Sequence, residues 1–217
     1  MTIIVYGARQ TTRTQRVLFT LEKLKIPYEL KHIDLPKHEH RKPEYVANHH
    51  PLAKVPAIED NSTKLFESRA ICRYLATKYP GVLSLPTDPV EIGRFEEAAS
   101  VEYAYFEPAG SKLGWEKIFK KFVTGKEADL NAVAQLEREL RQVLDYYEKL
   151  LADQTWLGGD KFSLIDVFHI PYFHFLVHDV GYEKDIESRP NVAAYWKKLG
   201  SDPAWKKITG EQQLNGF

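Results

Sequence analysis

Two residue pairs in this 217-residue chain are suited to hold a small zwitterion: Glu67-Ser68 and Val55-Pro56. Glu67-Ser68 opens an apolar-periodic helix, so it offers a carboxylate to an ammonium, and hydroxyl and backbone donors to a carboxylate. In Lys54-Val55-Pro56-Ala57-Ile58 a short apolar run is interrupted by a proline, which would remove a ladder donor from any central strand. A Val-Pro at a strand entrance fits a cis peptide, which bares backbone N–H and C=O groups to a ligand able to pair like a strand. The plainer alternative is an ordinary trans turn. A third stretch, Gly7-Ala8-Arg9-Gln10-Thr11-Thr12-Arg13-Thr14-Gln15-Arg16-Val17, joins a strand to a helix start. Free amides and the helix dipole favour an anion there, and the hydroxyls of Thr11 and Thr12 either donate to it or cap the helix. Arg13 and Arg16 put cations in the first turns, where each is normally unfavourable by about half a kcal/mol. They read either as partners of an anion or as outward-facing partners of Glu22 or Glu29.

The elements that must position these residues alternate. Residues 2–6 read as a strand, 13–25 as a helix with Val17, Leu18, Leu21 and Leu24 on one face, 28–33 as a second strand and 41–48 as a short helix. Strands near 55–58 and 64–65 follow, then a helix over 67–78. This order resembles a thioredoxin-like domain, with a parallel βαβ unit and a closing hairpin. The expected division is a first domain over 1–80, a Pro/Gly-containing linker at 81–87, and a domain over 88–217 that is helical throughout. Asp88-Pro89-x-Glu91 is a helix start whose pattern runs to about Phe122, with a kink expected at Pro108 to Gly110. A long amphipathic helix is expected over 127–152. Ser163-Leu164-Ile165-Asp166 resembles a capping box, with Phe162 and Val167 placed as a hydrophobic staple. The fold class is therefore α/β plus all-α.

Read together, Lys54-Val55-Pro56-Ala57-Ile58 and Glu67-Ser68-Arg69-Ala70-Ile71-Cys72-Arg73-Tyr74-Leu75 resemble the glutathione-binding signature of cytosolic glutathione transferases. The whole chain can be laid against that family, most nearly against its phi class. The resemblance implies transfer of the glutathione thiolate to hydrophobic electrophiles, with reduction of organic hydroperoxides as a further activity. Glutathione is then a co-substrate, and no metal or other cofactor is implied. In phi-class enzymes the loop after the first strand carries the catalytic serine, four residues after the glycine; here that position is Thr11, a departure, and Thr12 is the second choice. Threonine keeps the donor, but its methyl group restricts the rotamer and crowds the sulfur. A free thiol has a pKa of about 8.5, so lowering it by about two units takes ~2.7 kcal/mol of preferential stabilisation of the anion. A hydroxyl hydrogen bond, oriented amides and nearby guanidinium groups can supply that together. The loop holds no cysteine, which argues against classes that form a mixed disulfide there, and Cys72 reads as a core residue.

His40-Arg41-Lys42-Pro43-Glu44 resembles the family's His-Lys-x-Pro-Glu segment, so His40 and Arg41 would hold the glycine carboxylate, with Lys54 replacing a usual glutamine. A solvated basic loop is the alternative. Val55, before Pro56, would pair its backbone with the cysteine moiety, while Glu67 and Ser68 would hold the γ-glutamyl end. The family builds its hydrophobic acceptor site on the first helix after the linker and the loop after the first strand. That points to Gln10, Leu35, Phe106, Phe119 and Phe173, although aromatics at helical spacing are usually core. The family is typically homodimeric, and Leu52 is a candidate contact. A non-catalytic, ligandin-like binder of glutathione and hydrophobic molecules is the rival function.

Composition narrows the classes. Apolar residues make up 43 % and charged residues 28 %, ordinary values for a soluble globular chain. No apolar run is long enough to span a bilayer, no signal-peptide layout is seen, and a single cysteine suits a reducing compartment, so a cytoplasmic location is expected. The net charge of zero conceals a split: through Ser84 there are 14 Lys and Arg against 8 Asp and Glu, a surplus of six that the remainder reverses. A cationic first part would attract a small anion such as glutathione, or else marks two solvated faces. The basic residues are scattered and carry no nucleic-acid motif, so nucleic acid is not an expected partner. His38, His40, His49 and His50 lack companion ligands at metal spacing, and no Gly-x-Ser-x-Gly elbow occurs, so neither a zinc site nor a serine hydrolase is expected.

Overall fold

The computed structural model describes residues 2–210 and divides them into one unit of residues 2–85 with 202–210 and a second of 86–201. Side-chain alternation explains the first unit. In β1 (Ile3–Gly7), Ile3, Val5 and Gly7 are buried whereas Ile4 and Tyr6 are half-buried. The chain then forms α1 (Thr12–Lys23), β2 (Tyr28–His32), a 3₁₀ turn (Glu39–Arg41), α2 (Pro43–Asn48), β3 (Ala57–Asp60), β4 (Thr63–Phe66) and α3 (Ser68–Lys78). The sheet order is β2-β1-β3-β4, with β1 parallel to β2 and antiparallel to β3, and β3 antiparallel to β4. The expected βαβ unit and closing hairpin are both present. The short helix expected over 41–48 is instead a 3₁₀ turn followed by α2. Pro43 is the reason: a residue preceding proline avoids helical backbone, and Lys42 is extended.

Helix α1 buries Val17, Leu18 and Leu21 completely and packs along α3, which contributes Ile71 and Leu75. Beyond β3, buried Asp60 accepts hydrogen bonds from Lys78 (2.6 Å), Tyr74 (2.9 Å) and Tyr79 (3.0 Å). Burial alone would raise its carboxyl, but these donors hold it below the usual range. The network pins α3 against the hairpin and so steadies the helix whose other end carries Ser68.

In the second unit one helical run crosses α4 (Pro89–Val101), a π turn (Glu102–Phe106), α5 (Glu107–Gly114), a second π turn (Trp115–Phe119) and α6 (Lys120–Thr124). The irregularity expected at Pro108 takes the form of the π turn just before it. Pro108 has no N–H for the carbonyl one turn back, and the wider turn accommodates that gap. Then come α7 (Leu130–Asp153), α8 (Leu164–Phe175), a third π turn (Leu176–Val180), α9 (Glu183–Glu187) and α10 (Pro190–Gly200). Helix α7 starts three residues later than its periodicity suggests, because Asp129 caps it through the amides of Asn131 (2.9 Å) and Ala132 (3.2 Å). The capping box of α8 is formed: the Ile165 amide donates to Ser163 Oγ, and the Ser163 amide donates to Asp166 Oδ2. Val167 is fully buried, whereas Phe162 lies edge-on to Trp156.

One segment departs from the expected division. Helix α11 (Pro203–Gly210) packs on α1, where Trp205 meets Phe19 edge-to-face at 5.5 Å and Lys23 pairs with Asp202 at 2.6 Å. Residues 202–210 thus return to the first unit, whereas the periodicity alone had assigned all of 88–217 to one helical domain. Helical spacing reports an apolar face but not what covers it. No described helix is long and apolar enough to cross a membrane.

Candidate functional site

Strand register gathers the chemistry-bearing residues. Antiparallel pairing sets Ala57 opposite both Tyr6 and Phe66. Gly7 to Thr11, Val55-Pro56 and Glu67-Ser68 therefore all leave the sheet at the same end. The Val55–Pro56 peptide is cis. Just ahead of it, the Lys54 carbonyl accepts a 2.8 Å hydrogen bond from Tyr45 Oη, which ties α2 to the approach to β3. Tyr45 is buried, and burial pushes its hydroxyl up to about 12, so it keeps its proton and can donate. Its role has no local signature in the sequence; only a polar-tipped aromatic on a short helix hints at it.

At the end of β1 the chain turns through Arg9 and Gln10 into α1. Thr11 occupies the cap position with extended backbone, and the Gln15 amide donates to its carbonyl at 2.9 Å. Its side chain does not cap the helix. Instead Thr11 Oγ1 lies 2.9 Å from the Ala8 carbonyl and 2.7 Å from Thr14 Oγ1. Thr12 follows as the first helical residue, half-buried like Thr11. The amides of the first helical turn point out of the helix start and carry its positive dipole end. A hydroxyl spared from capping beside those amides can serve an anion.

The second helix start is arranged differently. Ser68 is buried, and its Oγ accepts a 2.9 Å hydrogen bond from Arg16 Nη1. Because the guanidinium can only donate, the Ser68 oxygen is used as an acceptor and its own proton is left to donate, which suits a carboxylate. Arg16 is 0 % exposed. Of the two readings of this arginine, outward pairing is thereby removed: Glu22 is engaged with Tyr28 and Lys207, and Arg16 points inward to Ser68. Glu67 is exposed and sits at φ 70°, ψ 107°, a conformation that costs a non-glycine residue about 1–3 kcal/mol. Replacing Glu67 with glycine should raise stability by about 1 kcal/mol, which thermal unfolding checks.

His40 and Arg41 lie on the 3₁₀ turn after β2. Burial foremost, with Arg41, His38 and Lys54 adding repulsion, lowers the His40 imidazole below its usual value, so at neutral pH it is uncharged within a basic group. Its Nδ1 is buried and has no hydrogen-bond partner among the described residues. Cys72 is fully buried between α1 and α3, with Thr20 donating to its sulfur at 3.0 Å, and burial pushes its thiol up to about 11. A maleimide should therefore leave the native protein unlabelled and modify one thiol after unfolding, which mass spectrometry reads directly.

The acceptor candidates divide. Gln10 is exposed and Leu35 half-buried in the first unit, and Phe119 is 47 % exposed in the second. Phe106 and Phe173 are corrected: both are 0 % exposed, 4.9 Å apart in the core of the helical unit. Around them Tyr147 Oη bonds to His169 Nε2 at 2.7 Å, and His169 Nδ1 bonds to the Ile165 carbonyl at 2.7 Å. A ring without accessible surface cannot touch an occupant that enters from solvent, so these two rings are packing.

Comparisons with known proteins place the chain in a family. The family model described as glutathione S-transferase, N-terminal domain, matches residues 1–77, and that for the C-terminal domain matches residues 106–203. Glutathione S-transferase hmp2 of Hypomyces subiculosus is 41 % identical over 214 residues, covering 97 % of this chain and 99 % of its own. Among solved structures, poplar glutathione transferase F1 superposes with a TM-score of 0.91 at 32 % identity, covering 99 % of this chain and all of that one. Maize glutathione S-transferase I, solved with an atrazine glutathione conjugate, gives a TM-score of 0.90 at 27 % identity with full coverage of both chains.

Proposed function

The chain belongs to the glutathione S-transferase family, in its phi class, and from that premise we propose which residues join the sulfur of glutathione to a hydrophobic electrophile. Thr11 donates its hydroxyl proton to the sulfur, at the positive end of α1, and so favours the thiolate. The thiol proton leaves to solvent. The thiolate then attacks an electrophilic carbon, forming the C–S bond as the leaving group departs with its electron pair. Ser68 and Glu67 hold the γ-glutamyl carboxylate and ammonium, Val55 pairs its backbone with the cysteine residue ahead of Pro56, and His40, Arg41 and Lys54 receive the glycine carboxylate. Gln10 and Leu35 contribute to acceptor binding. The protein acts as a cytoplasmic homodimer, for which Leu52, 64 % exposed, is a contact.

The observation that carries this reading is the Thr11 hydroxyl, which stands at the cap position of α1 without capping it. The test is a pH titration of the ultraviolet thiolate absorbance of glutathione added to the protein, with turnover of an aryl halide followed in parallel. A thiol titrating well below its free value, together with turnover, is expected. Binding with an unshifted thiol and no turnover would refute the assignment.

A further inference from the structure

A hydroxyl has one proton, and Thr11 Oγ1 is within hydrogen-bond distance of two oxygens. The Ala8 carbonyl can only accept. Both contacts therefore exist at once only when Thr11 donates to Ala8 and Thr14 donates to Thr11. Thr14 is fully buried, and its Oγ1 lies 2.7 Å from Thr11 Oγ1. The end of β1 is shaped around this side chain: a Cβ added at Gly7 would fall 2.7 Å from Thr14 Oγ1 and 2.8 Å from its Cγ2. A side chain at position 7 would evict the Thr14 hydroxyl from its place.

We infer that Thr14 is a positioning residue, whose buried hydroxyl donates to Thr11 Oγ1 and leaves the single Thr11 proton to be handed to the glutathione sulfur. The inference rests on Thr11 being the sulfur's partner. The exchange costs little at the other end, because the Ala8 carbonyl also accepts the Thr11 amide at 2.9 Å and stays paired when the hydroxyl swings away. A hydroxyl that already accepts a hydrogen bond is also the stronger donor, since chained bonds polarise one another. Thr14 thus acts on the sulfur without touching it.

The test compares Thr14→Val, Thr14→Ser and Thr11→Ala in the intact protein, using glutathione and an aryl halide across a pH series. Thr14→Val keeps the shape and removes the donor. Its kcat/KM should fall about fivefold at pH values below the pKa of the bound thiol, the worth of one ordinary hydrogen bond, and converge on the parent at high pH. The KM for glutathione should not move, and Thr14→Ser should restore the parent pH profile. A Thr14→Val protein that is less stable but has the parent profile overturns the inference, as does a Thr14→Ser protein as impaired as the valine variant. Parent-like turnover in Thr11→Ala would instead refute the assignment of Thr11, and the inference with it.

Discussion

Thr11→Ala should lower kcat/KM for conjugation by about thirtyfold near neutral pH, the scale expected for removing one charge-assisted hydrogen bond to an anion. The bound thiol should titrate more than one unit higher, back toward about 8.5. Thr11→Ser should keep or raise activity, because it retains the donor and removes the methyl group that restricts the rotamer. Thr12→Ala should stay within about twofold of the parent, since Thr12 begins α1 and only Thr11 carries the hydroxyl contacts to Ala8 and Thr14. Stopped-flow measurement of conjugation, with the thiolate absorbance followed in the same series, separates the two residues. Collapse of Thr12→Ala with an active Thr11→Ala would reverse the assignment. A small loss of stability should accompany Thr11→Ala, because the buried Thr14 hydroxyl then loses its partner.

The second large effect concerns stability. Asp166 is fully buried and accepts from the Ser163 amide (2.9 Å), the Leu157 amide (3.2 Å) and the Tyr195 hydroxyl (3.0 Å). Asp166→Ala leaves those donors without an acceptor and removes half of the capping box, so a loss of about 4 kcal/mol is expected. Urea unfolding with α-helical circular dichroism as the signal measures it, and a loss under about 1 kcal/mol would show that water satisfies the donors. The pH dependence has a definite sign. Burial pushes the Asp166 carboxyl up to about 6 against the pull of its donors. Between about pH 4 and 6 the native state then holds a proton that the unfolded chain has released, so this residue's contribution to stability declines as pH rises through that window. Asp166→Asn lacks the titration. Its deficit relative to the parent should be greatest near pH 4 and shrink toward pH 6.

Short-range signals were legible in the sequence, and long-range partnerships were not. The Ser163–Asp166 box and the β-α-β-α-β-β-α order each declare themselves within a few residues, through cap spacing and hydrophobic period, whereas Val55-Pro56 left a cis peptide and a trans turn both open. The clustering of Gly7–Thr11, Val55-Pro56 and Glu67-Ser68 followed once strands were read between them. By contrast, the Arg16–Ser68 bond spans 52 residues and the Tyr45–Lys54 bond depends on how a short helix meets the next strand. Neither leaves a local trace. Arg16 drew notice only as a cation at the wrong end of a helix, which could not reveal that it faces inward. Phe106 and Phe173 failed as acceptor candidates because periodicity marks an aromatic stripe without telling core from pocket.

Helix α11 has a consequence for synthesis on the ribosome. Trp205 and Ile208 fill the first unit's core beside Phe19, yet they follow the whole of the second unit in the chain. A nascent polypeptide that has emerged only as far as Gly200 holds the βαβ core with the outer side of α1 still bare. The domain translated first is therefore the one completed last, because Phe19 gains its Trp205 partner only after the whole second unit has been made.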